Sequence, residues 1–478
     1  MKLSDYAAND AVGLGQLVAS GDVTPLELEA CAVRAHQQVA DRVNAVVGLH
    51  PTDPERVPVD LTSGGPLAGV PTMVKDLFHG EAGLPCGNGS RLTEGWVVPY
   101  TSTIVARLKA AGLVSIGRTA TSEFGIMGTT ETLANGQTRS PWSANHMAGG
   151  SSGGAAAAVG AGVVPVALAS DGGGSIRIPA SACGVVGLKP SAGRVPWGYV
   201  TKEPLLGWAV QFAVSRSVRD SATLLDALCG PVLGDPFGFS LPMTTYAVAA
   251  RTPTGPLRIA YWSDPWSGDA SDPIITEATQ RTAELLETMG HVVELATPDV
   301  QWDRYLSAMA NVWAATNAHT IDGIANVVGR EVNEATVEGS TLGIVEHGRR
   351  VTALQLLDAM DLETHLTYVM AEFFQRFDVL LTPTLATVLP RLGEYDPRAY
   401  MTPEETFMFS SRWECFLPVF NTTGQPAISL PLHQSPDGLP IGMQFVGAVG
   451  REDLLLSLAS KLEEALPWAT RRPPVFAT

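Results

Sequence analysis

The sequence predicts an α/β protein in which helices alternate with the strands of one central sheet. From about residue 69 onward, short apolar runs and helical patterns follow one another, as is typical of strands covered by helices. Hydrophobic residues make up 45% of the 478 positions, and the mean hydropathy of +0.13 fits a large core. No internal repeat or Gly/Ser linker divides the chain, so we predict one large domain over residues 1–478.

The N-terminal part, residues 1–64, predicts a helical layer. The run Thr24-Pro25-Leu26-Glu27 has an N-cap threonine, a proline at the first helical position and a capping-box glutamate. The helix that it starts should reach about Val43.

We predict that residues 65–200 form the core of the domain. Residues 270–400 should form a largely helical cover over it. Along the chain the patterns predict helices over Ile104–Ala111, Ala155–Gly162, Val218–Cys229, Ile274–Met289, Ala353–Phe374 and Arg451–Leu466. They predict strands over Leu113–Gly117, Val163–Ala169, Val379–Leu381, Ala427–Pro431 and Met443–Val446.

Charge and composition exclude several classes of function. The formal net charge is -17 and no dense basic run is present, which argues against nucleic acid as a ligand. The most apolar stretch, Gly153–Ala169, is short and is broken by Pro165, so we predict no membrane segment. The five cysteines are widely spaced, and no CxxC pair or HExxH motif occurs. These features predict a cytoplasmic protein with reduced thiols and no metal site.

Two Gly/Ser clusters stand out because both lie within apolar sequence. The first is GGSSGG, residues 149–154, and the second is DGGGSIR, residues 171–177. A buried flexible loop would leave polar backbone groups unpaired, so these glycines indicate sharp turns or a close approach to a ligand. Successive N–H groups before Ser175 could bind the oxyanion that forms in amide hydrolysis.

Lys75 follows the apolar run Val70–Val74, which predicts a buried strand. Burial favours the uncharged amine, and a serine nucleophile needs such a base. To serve near neutral pH the pKa of Lys75 must fall by about 3 units, a cost of roughly 4 kcal/mol that a large fold can absorb.

Together these elements resemble the amidase signature family. The resemblance rests on Val-Lys-Asp at 74–76, GGSSGG at 149–154 and DGGGSIRIPASACGVVGLKP at 171–190. The runs FNTTGQPAISLP at 420–431 and GLPIGMQ at 438–444 also resemble it. One departure is Gly172, where many members carry Thr or Ile.

The resemblance implies a single α/β/α domain around a twisted mixed sheet. It also implies a catalytic triad of Ser175 as nucleophile, Ser151 as bridging serine after a cis peptide bond, and Lys75 as base. The backbone amides of Gly172, Gly173 and Gly174, with that of Ser175, would form the oxyanion hole. Asp171 and Arg177 would order this loop, and no metal or organic cofactor is required.

The closing segment around 450–473 resembles the bacterial branch of the family that contains 6-aminohexanoate cyclic-dimer hydrolases. We therefore expect a small-molecule amide or carbamate as substrate: aryl amides, nylon-type cyclic oligoamides or urethanes. Met127, Trp142 and Trp313 are candidates for an apolar substrate pocket beneath the helical cover. No nucleic-acid or membrane partner is expected, and the protein would be a monomer or a homodimer.

Three other functions fit part of the sequence. GGSSGG satisfies the G-x-S-x-G pattern of α/β-hydrolases in two frames, but the preceding residues do not predict the strand that such an elbow needs. The chain could also be the amidase subunit of a tRNA-dependent amidotransferase, although no basic face is evident. A nucleotide-binding module is disfavoured because no P-loop motif occurs.

Overall fold

A single eleven-stranded sheet organises the part of the chain that the structure describes. The structure is a computed structural model and describes residues 1–50, 65–198, 203–235, 239 and 242–478. The strands of these ranges are β1 Val46–Leu49, β2 Pro71–Lys75, β3 Val114–Thr119, β4 Glu131–Thr132, β5 Gly136–Gln137, β6 Arg139–Ser140, β7 Ser143–Met147, β8 Val166–Asp171, β9 Val186–Lys189, β10 Val210–Ser215, β11 Arg258–Tyr261, β12 Val292–Leu295, β13 Val379–Pro383, β14 Ala427–Gln434 and β15 Pro440–Gly447.

Helices pack against this sheet and against one another. In the described ranges they are α1 Leu3–Ala8, α2 Ala11–Ala19, α3 Pro25–Val43, α4 Thr103–Ala110, α5 Gly153–Gly160, α6 Arg177–Cys183, α7 Val218–Leu228, α8 Tyr246–Ala249, α9 Pro273–Thr288, α10 Trp302–Val328, α11 Gly339–Gly348, α12 Ala353–Arg376, α13 Pro403–Glu414, α14 Val419–Thr422 and α15 Glu452–Ala465.

The large sheet is mixed, as the resemblance implied. Its strand order is β1-β3-β2-β8-β10-β9-β14-β15-β13-β11-β12, and β4 with β5 and β6 with β7 form two small separate pairs. Strands β3, β2 and β8 run parallel, as do β13, β11 and β12, whereas the central pairs from β8 to β13 are antiparallel. The predicted α/β class is therefore confirmed.

Capping boxes begin three of the helices. Thr24 and Glu27 form the complete capping box at the start of α3. Thr352 with Gln355 at α12, and Thr402 with Glu405 at α13, form the same reciprocal arrangement. Each box satisfies two amides that have no partner within the helix.

The segment 270–400, for which we predicted a largely helical cover, also contributes two strands to the sheet. Strands β12 and β13 belong to the sheet. Helices α10 to α13 share a buried apolar cluster with sheet residues such as Ala260, Leu380 and Ala427. The end of the predicted N-terminal layer, 51–64, and residues 199–200 of the predicted core lie outside the described residues. Across the described ranges, every helix is too short or too polar to span a bilayer.

Gly154 of α5 lies in a tightly packed position. A Cβ atom there would lie 2.3 Å from the amide nitrogen of Ala120 and 2.5 Å from the carbonyl oxygen of Ala45. Gly323 of α10, in contrast, has open space within 4 Å of the same position. The two glycines therefore separate intrinsic helix propensity from packing.

We predict that Gly154→Ala lowers the free energy of unfolding by about 1–3 kcal/mol because the methyl group overpacks the helix–sheet contact. The matched variant Gly323→Ala should raise it by about 0.5–1 kcal/mol, since alanine is the better helix former. Guanidinium titration of both variants measures the difference. Equal effects of the two substitutions would contradict the packing described here.

Candidate active site

The candidate catalytic residues meet at one edge of the sheet. Strand β2 ends at Lys75, and the parallel strand β8 ends at Asp171. The carboxyl ends of parallel strands lie at the same edge, and ligands of open α/β sheets bind there. The turn into α5 brings Ser151 to this edge, and the turn into α6 brings Ser175.

Lys75 is fully buried and donates two hydrogen bonds to hydroxyl groups. Its Nζ lies 2.7 Å from Ser151 Oγ and 3.0 Å from Ser170 Oγ. Burial lowers the pKa of Lys75 well below its usual value, and the negative charge of Asp171 offsets this only in part. An uncharged amine in contact with a serine hydroxyl can accept the proton of that hydroxyl.

The GGSSGG segment is a tight turn with no room for larger residues. The Gly150–Ser151 peptide bond is cis, as the resemblance implied. A Cβ atom at Gly150 would lie 2.6 Å from the amide nitrogen of Thr129. The Thr130 hydroxyl donates to the Gly149 carbonyl at 2.8 Å and accepts the Gly153 amide at 3.2 Å, so it joins the two ends of the turn.

Asp171 and Arg177 form a buried ion pair that fixes the second loop. Arg177 Nε and Nη2 each lie 2.9 Å from one oxygen of Asp171. Arg177 also donates to the Asn421 side chain at 2.6 Å and to the Gln444 side chain at 2.7 Å. Burial alone would raise the pKa of Asp171, but Arg177, the charge of Lys189 and the Asn421 side chain together hold it below its usual value.

The amides of the predicted oxyanion hole divide into two sets. Gly174 N–H donates to Asp171 Oδ1 at 2.7 Å, so in this structure it is directed to the carboxylate and away from a substrate. Within the described residues, the amides of Gly172, Gly173 and Ser175 form no hydrogen bond with a protein acceptor. Of the predicted donors, Gly172 and Gly173 therefore stay available, together with Ser175, and Gly174 does not.

Neighbouring side chains closely surround two glycines of this loop. Gly174 has a φ of +134°, and a Cβ atom there would lie 2.6 Å from Leu417 Cδ1. At Gly172 a Cβ atom would lie 2.8 Å from Leu205 and 3.2 Å from Trp313. Because position 172 is glycine and not Thr or Ile, the side chains of Leu205 and Trp313 can lie directly over the loop.

A small cavity of about 70 Å³ opens onto Ser151, Ser170 and Ser175. None of the described residues that line it carries a formal charge. One wall is polar and consists of Thr316, Asn317 and Thr320 of α10. The other lining residues are Leu77, Phe78, Phe124, Gly125, Gly172, Trp197, Pro204, Leu205, Ala209 and Trp313.

The three residues predicted for the pocket occupy three different places. Trp313 lines the cavity next to Gly172. Met127 is buried behind the GGSSGG turn, where its carbonyl oxygen would lie 2.7 Å from a Cβ atom at Gly150. Trp142 lies at the far end of α6, donates to the Cys183 carbonyl at 2.9 Å and lines two other cavities.

Sequence reasoning missed Ser170, Asn421 and Gln444. Each lies beside or within a motif that carried the resemblance, yet no residue pattern connects position 170 to Lys75, or positions 421 and 444 to Arg177. Only the folded sheet brings them together. In the described ranges, His, Cys, Asp and Glu side chains form no group of three or more that could hold a metal ion.

Comparison with known proteins agrees with this fold. The family model described as "Amidase" matches residues 28–456. The chain is 37% identical over 479 aligned residues to the 6-aminohexanoate-cyclic-dimer hydrolases of Pseudomonas sp. (strain NK87) and Paenarthrobacter ureafaciens, with 98% of this chain and 97% of each relative covered.

Solved structures extend the comparison. A 6-aminohexanoate cyclic dimer hydrolase complexed with substrate superposes with a TM-score of 0.91 at 33% identity, covering 98% of this chain and 99% of that one. A bacterial aryl acylamidase of the amidase signature family superposes with a TM-score of 0.86 at 26% identity, covering 96% and 97%. A glutamyl-tRNA(Gln) amidotransferase chain from Thermotoga maritima, at 24% identity and a TM-score of 0.74, covers 95% of this chain and 98% of its own length and shares the fold.

The fold and these relatives define an enzyme that hydrolyses the carbon–nitrogen bonds of amides. The chain belongs to the amidase signature family. The sequence-based prediction of this family and enzyme class is confirmed.

We predict that Ser170→Ala lowers kcat/KM for an anilide substrate about tenfold, because Lys75 loses one of its two hydrogen-bond partners. The matched control is Ser221→Ala, which removes the buried 2.8 Å contact between the Ser221 and Ser215 hydroxyls on another part of the fold. Steady-state kinetics of both variants test the prediction. Unchanged kinetics in Ser170→Ala would show that this contact does not support Lys75.

Proposed function

We propose that this enzyme hydrolyses small uncharged amides through an acyl-enzyme on Ser175, with Ser151 and Lys75 as proton relay. The observation that carries the proposal is the 2.7 Å contact between Lys75 Nζ and Ser151 Oγ at a fully buried lysine. A buried lysine that forms no ion pair among the described residues and contacts two hydroxyl groups is suited to accept a proton.

The relay would carry one proton in each half of the reaction. Lys75 Nζ accepts the proton of the Ser151 hydroxyl, which in turn takes the proton of Ser175 Oγ as this oxygen attacks the substrate carbonyl carbon. The proton then passes to the amide nitrogen, the carbon–nitrogen bond breaks and the amine leaves. Water cleaves the resulting ester by the same relay and restores Ser175.

The loop before Ser175 supports the charge that develops during attack. The amides of Gly172, Gly173 and Ser175 are the donors available to the oxyanion. Asp171 and Arg177 hold the loop from behind through contacts with Asn421 and Gln444. Because these donors are held in place before the substrate binds, little reorganisation is needed in the transition state.

The lining of the cavity favours uncharged, largely apolar substrates. A carboxylate or ammonium group would lose its hydration there without finding an opposite charge among the described lining residues. Thr316, Asn317 and Thr320 can bind one polar group such as a second amide. The two relatives at 37% identity are named for the cyclic dimer of 6-aminohexanoate, which has this character, and we propose cyclic oligoamides, aryl amides and urethanes as the substrate range.

A fluorophosphonate probe tests the nucleophile even while the substrate is unidentified. We predict a single adduct on Ser175, found by peptide mass spectrometry, that is absent in Ser175→Ala. The labelling rate should fall at least a hundredfold in Lys75→Met and Ser151→Ala, since the serine loses its base. An adduct on Ser152 would instead favour the α/β-hydrolase alternative.

A pair of anilides tests the substrate class. Hexanoyl and succinyl p-nitroanilide share a leaving group but differ in the charge of the acyl chain. We predict that kcat/KM is at least tenfold higher for the hexanoyl compound, because the carboxylate of the other must be desolvated in the cavity. Equal values, or a preference for the succinyl compound, would contradict the proposed class.

The low proton affinity of buried Lys75 also predicts how stability depends on pH. The unfolded chain binds this proton up to the usual lysine pKa of about 10.4, whereas the folded enzyme releases it at lower pH. The resulting penalty is complete below the folded pKa and disappears as the pH approaches 10.4. Denaturant titrations between pH 7 and pH 10 should therefore show a rise in wild-type stability that is smaller in Lys75→Met. Parallel curves would contradict an uncharged Lys75.

A further inference from the structure

Arg118 and Asp76 form a buried ion pair directly behind Lys75. Arg118 Nε donates to Asp76 Oδ1 at 2.6 Å, and both side chains are almost completely buried. Arg118 lies on β3, whose parallel pairing with β2 places it opposite Val74. The pair therefore lies at the end of the strand that delivers Lys75 to the site.

The guanidinium of Arg118 holds both ends of the turn that follows Lys75. Its Nη2 donates to the Lys75 carbonyl at 3.3 Å and to the His79 carbonyl at 3.0 Å, and Nη1 donates to the same His79 oxygen at 3.1 Å. The turn is tight, since Phe78 has a φ of +56° and the His79 amide donates to the Leu77 carbonyl at 2.7 Å. Arg118 thus fixes the main chain on both sides of the turn.

Asp76 connects this turn to a second loop. Both of its carboxylate oxygens lie 3.0 Å from the Gly87 amide, and a Cβ atom at Gly87 would lie 2.7 Å from Asp76 Oδ2. Leu77 and Phe78, the next residues of the turn, line the cavity at the serines. The ion pair therefore holds in place both the end of β2 and the turn whose side chains form one wall of the cavity.

We propose that Arg118 and Asp76 are positioning residues for Lys75: Arg118 fixes the main chain that aims the lysine at Ser151, and the opposite charges of the pair cancel beside it. This inference rests on the proposed role of Lys75 as the base. Asp76 follows Lys75 in the chain and Arg118 lies on the neighbouring strand. A single uncompensated charge at either position would shift the protonation of Lys75, and the two partners would shift it in opposite directions.

The other ionisable groups near Lys75 do not replace the pair. Asp171 raises the proton affinity of Lys75 but is itself paired with Arg177. Burial lowers the pKa of His79 to about 3, so its ring is uncharged. Cys86, whose Sγ lies 3.2 Å from Arg118 Nη2, is an uncharged thiol because burial raises its pKa to about 11, and Glu81 is paired with Lys109 at 2.7 Å.

The pH dependence of kcat/KM separates positioning from a general structural role. The acidic limb of this profile is the fall of kcat/KM at low pH, where Lys75 becomes protonated. Asp76→Asn leaves the positive charge of Arg118, so this limb should move to lower pH by about one pH unit. Arg118→Met leaves the negative charge of Asp76, so the limb should move up by about the same amount. Opposite shifts support the proposal, and shifts of the same sign or unmoved limbs overturn it.

The variant Arg118→Lys separates charge from geometry. It keeps the charge but cannot reach both carbonyl groups, so the limb should stay in place while kcat falls about tenfold and KM changes little. A wild-type kcat in this variant overturns the positioning role. The matched control is Glu452→Gln, which breaks the buried pair of Glu452 and Arg194 and should leave the limb unmoved.

The variant Lys75→Met separates a failure of the proposed function from a failure of the positioning role. If Lys75→Met keeps full activity, the base is misassigned and the proposed function fails with it. If Lys75→Met is inactive but the limbs of Asp76→Asn and Arg118→Met do not separate, only the positioning role fails. Should Arg118→Met not fold, the near-isosteric Asp76→Asn decides alone, because the proposal requires its limb to move to lower pH.

Discussion

The site depends on a lysine that is kept uncharged inside the protein. Lys75 is fully buried, and its amine contacts the hydroxyls of Ser151 and Ser170. A charged lysine would be costly at this position because no carboxylate of the described residues pairs with it, so the fold favours the free base. Parallel pairing of β2 with β8 makes this arrangement possible, since it brings the end of each strand to the same edge of the sheet.

The surrounding structure serves mainly to hold main-chain atoms in place. Arg177 ties Asp171 to side chains from two later segments, and Arg118 ties the two ends of the turn after Lys75. Glycines at 150, 172 and 174 lie where a side chain would meet neighbouring atoms at less than 3 Å. Two buried ion pairs and several tight turns thus support the site, and a large ordinary core supports them in turn.

Local sequence patterns predicted the helices and strands well, but they did not predict contacts between residues far apart in the chain. Capping residues predicted the start of α3. The motifs that carried the resemblance indicated Lys75, Ser151 and Ser175; Lys75 contacts Ser151, and both serines line one cavity. The use of the Gly174 amide by Asp171, the contact of Ser170 with Lys75 and the distant position of Trp142 follow from sheet register and loop geometry. These depend on residues far apart in the chain, whose pairing a single sequence does not encode in any local pattern.

The protonation state of Lys75 decides whether it can act as the base, and it can be measured directly. The chain has six lysines, so selective labelling with [6-¹³C]lysine gives few signals, and Lys75→Met assigns the one that matters. Lys189, whose pKa burial lowers to about 7, provides an internal comparison. We predict that the Lys75 signal has the shift of a free amine at pH 8. A signal that stays protonated and titrates near the usual lysine pKa of about 10.4 would contradict it.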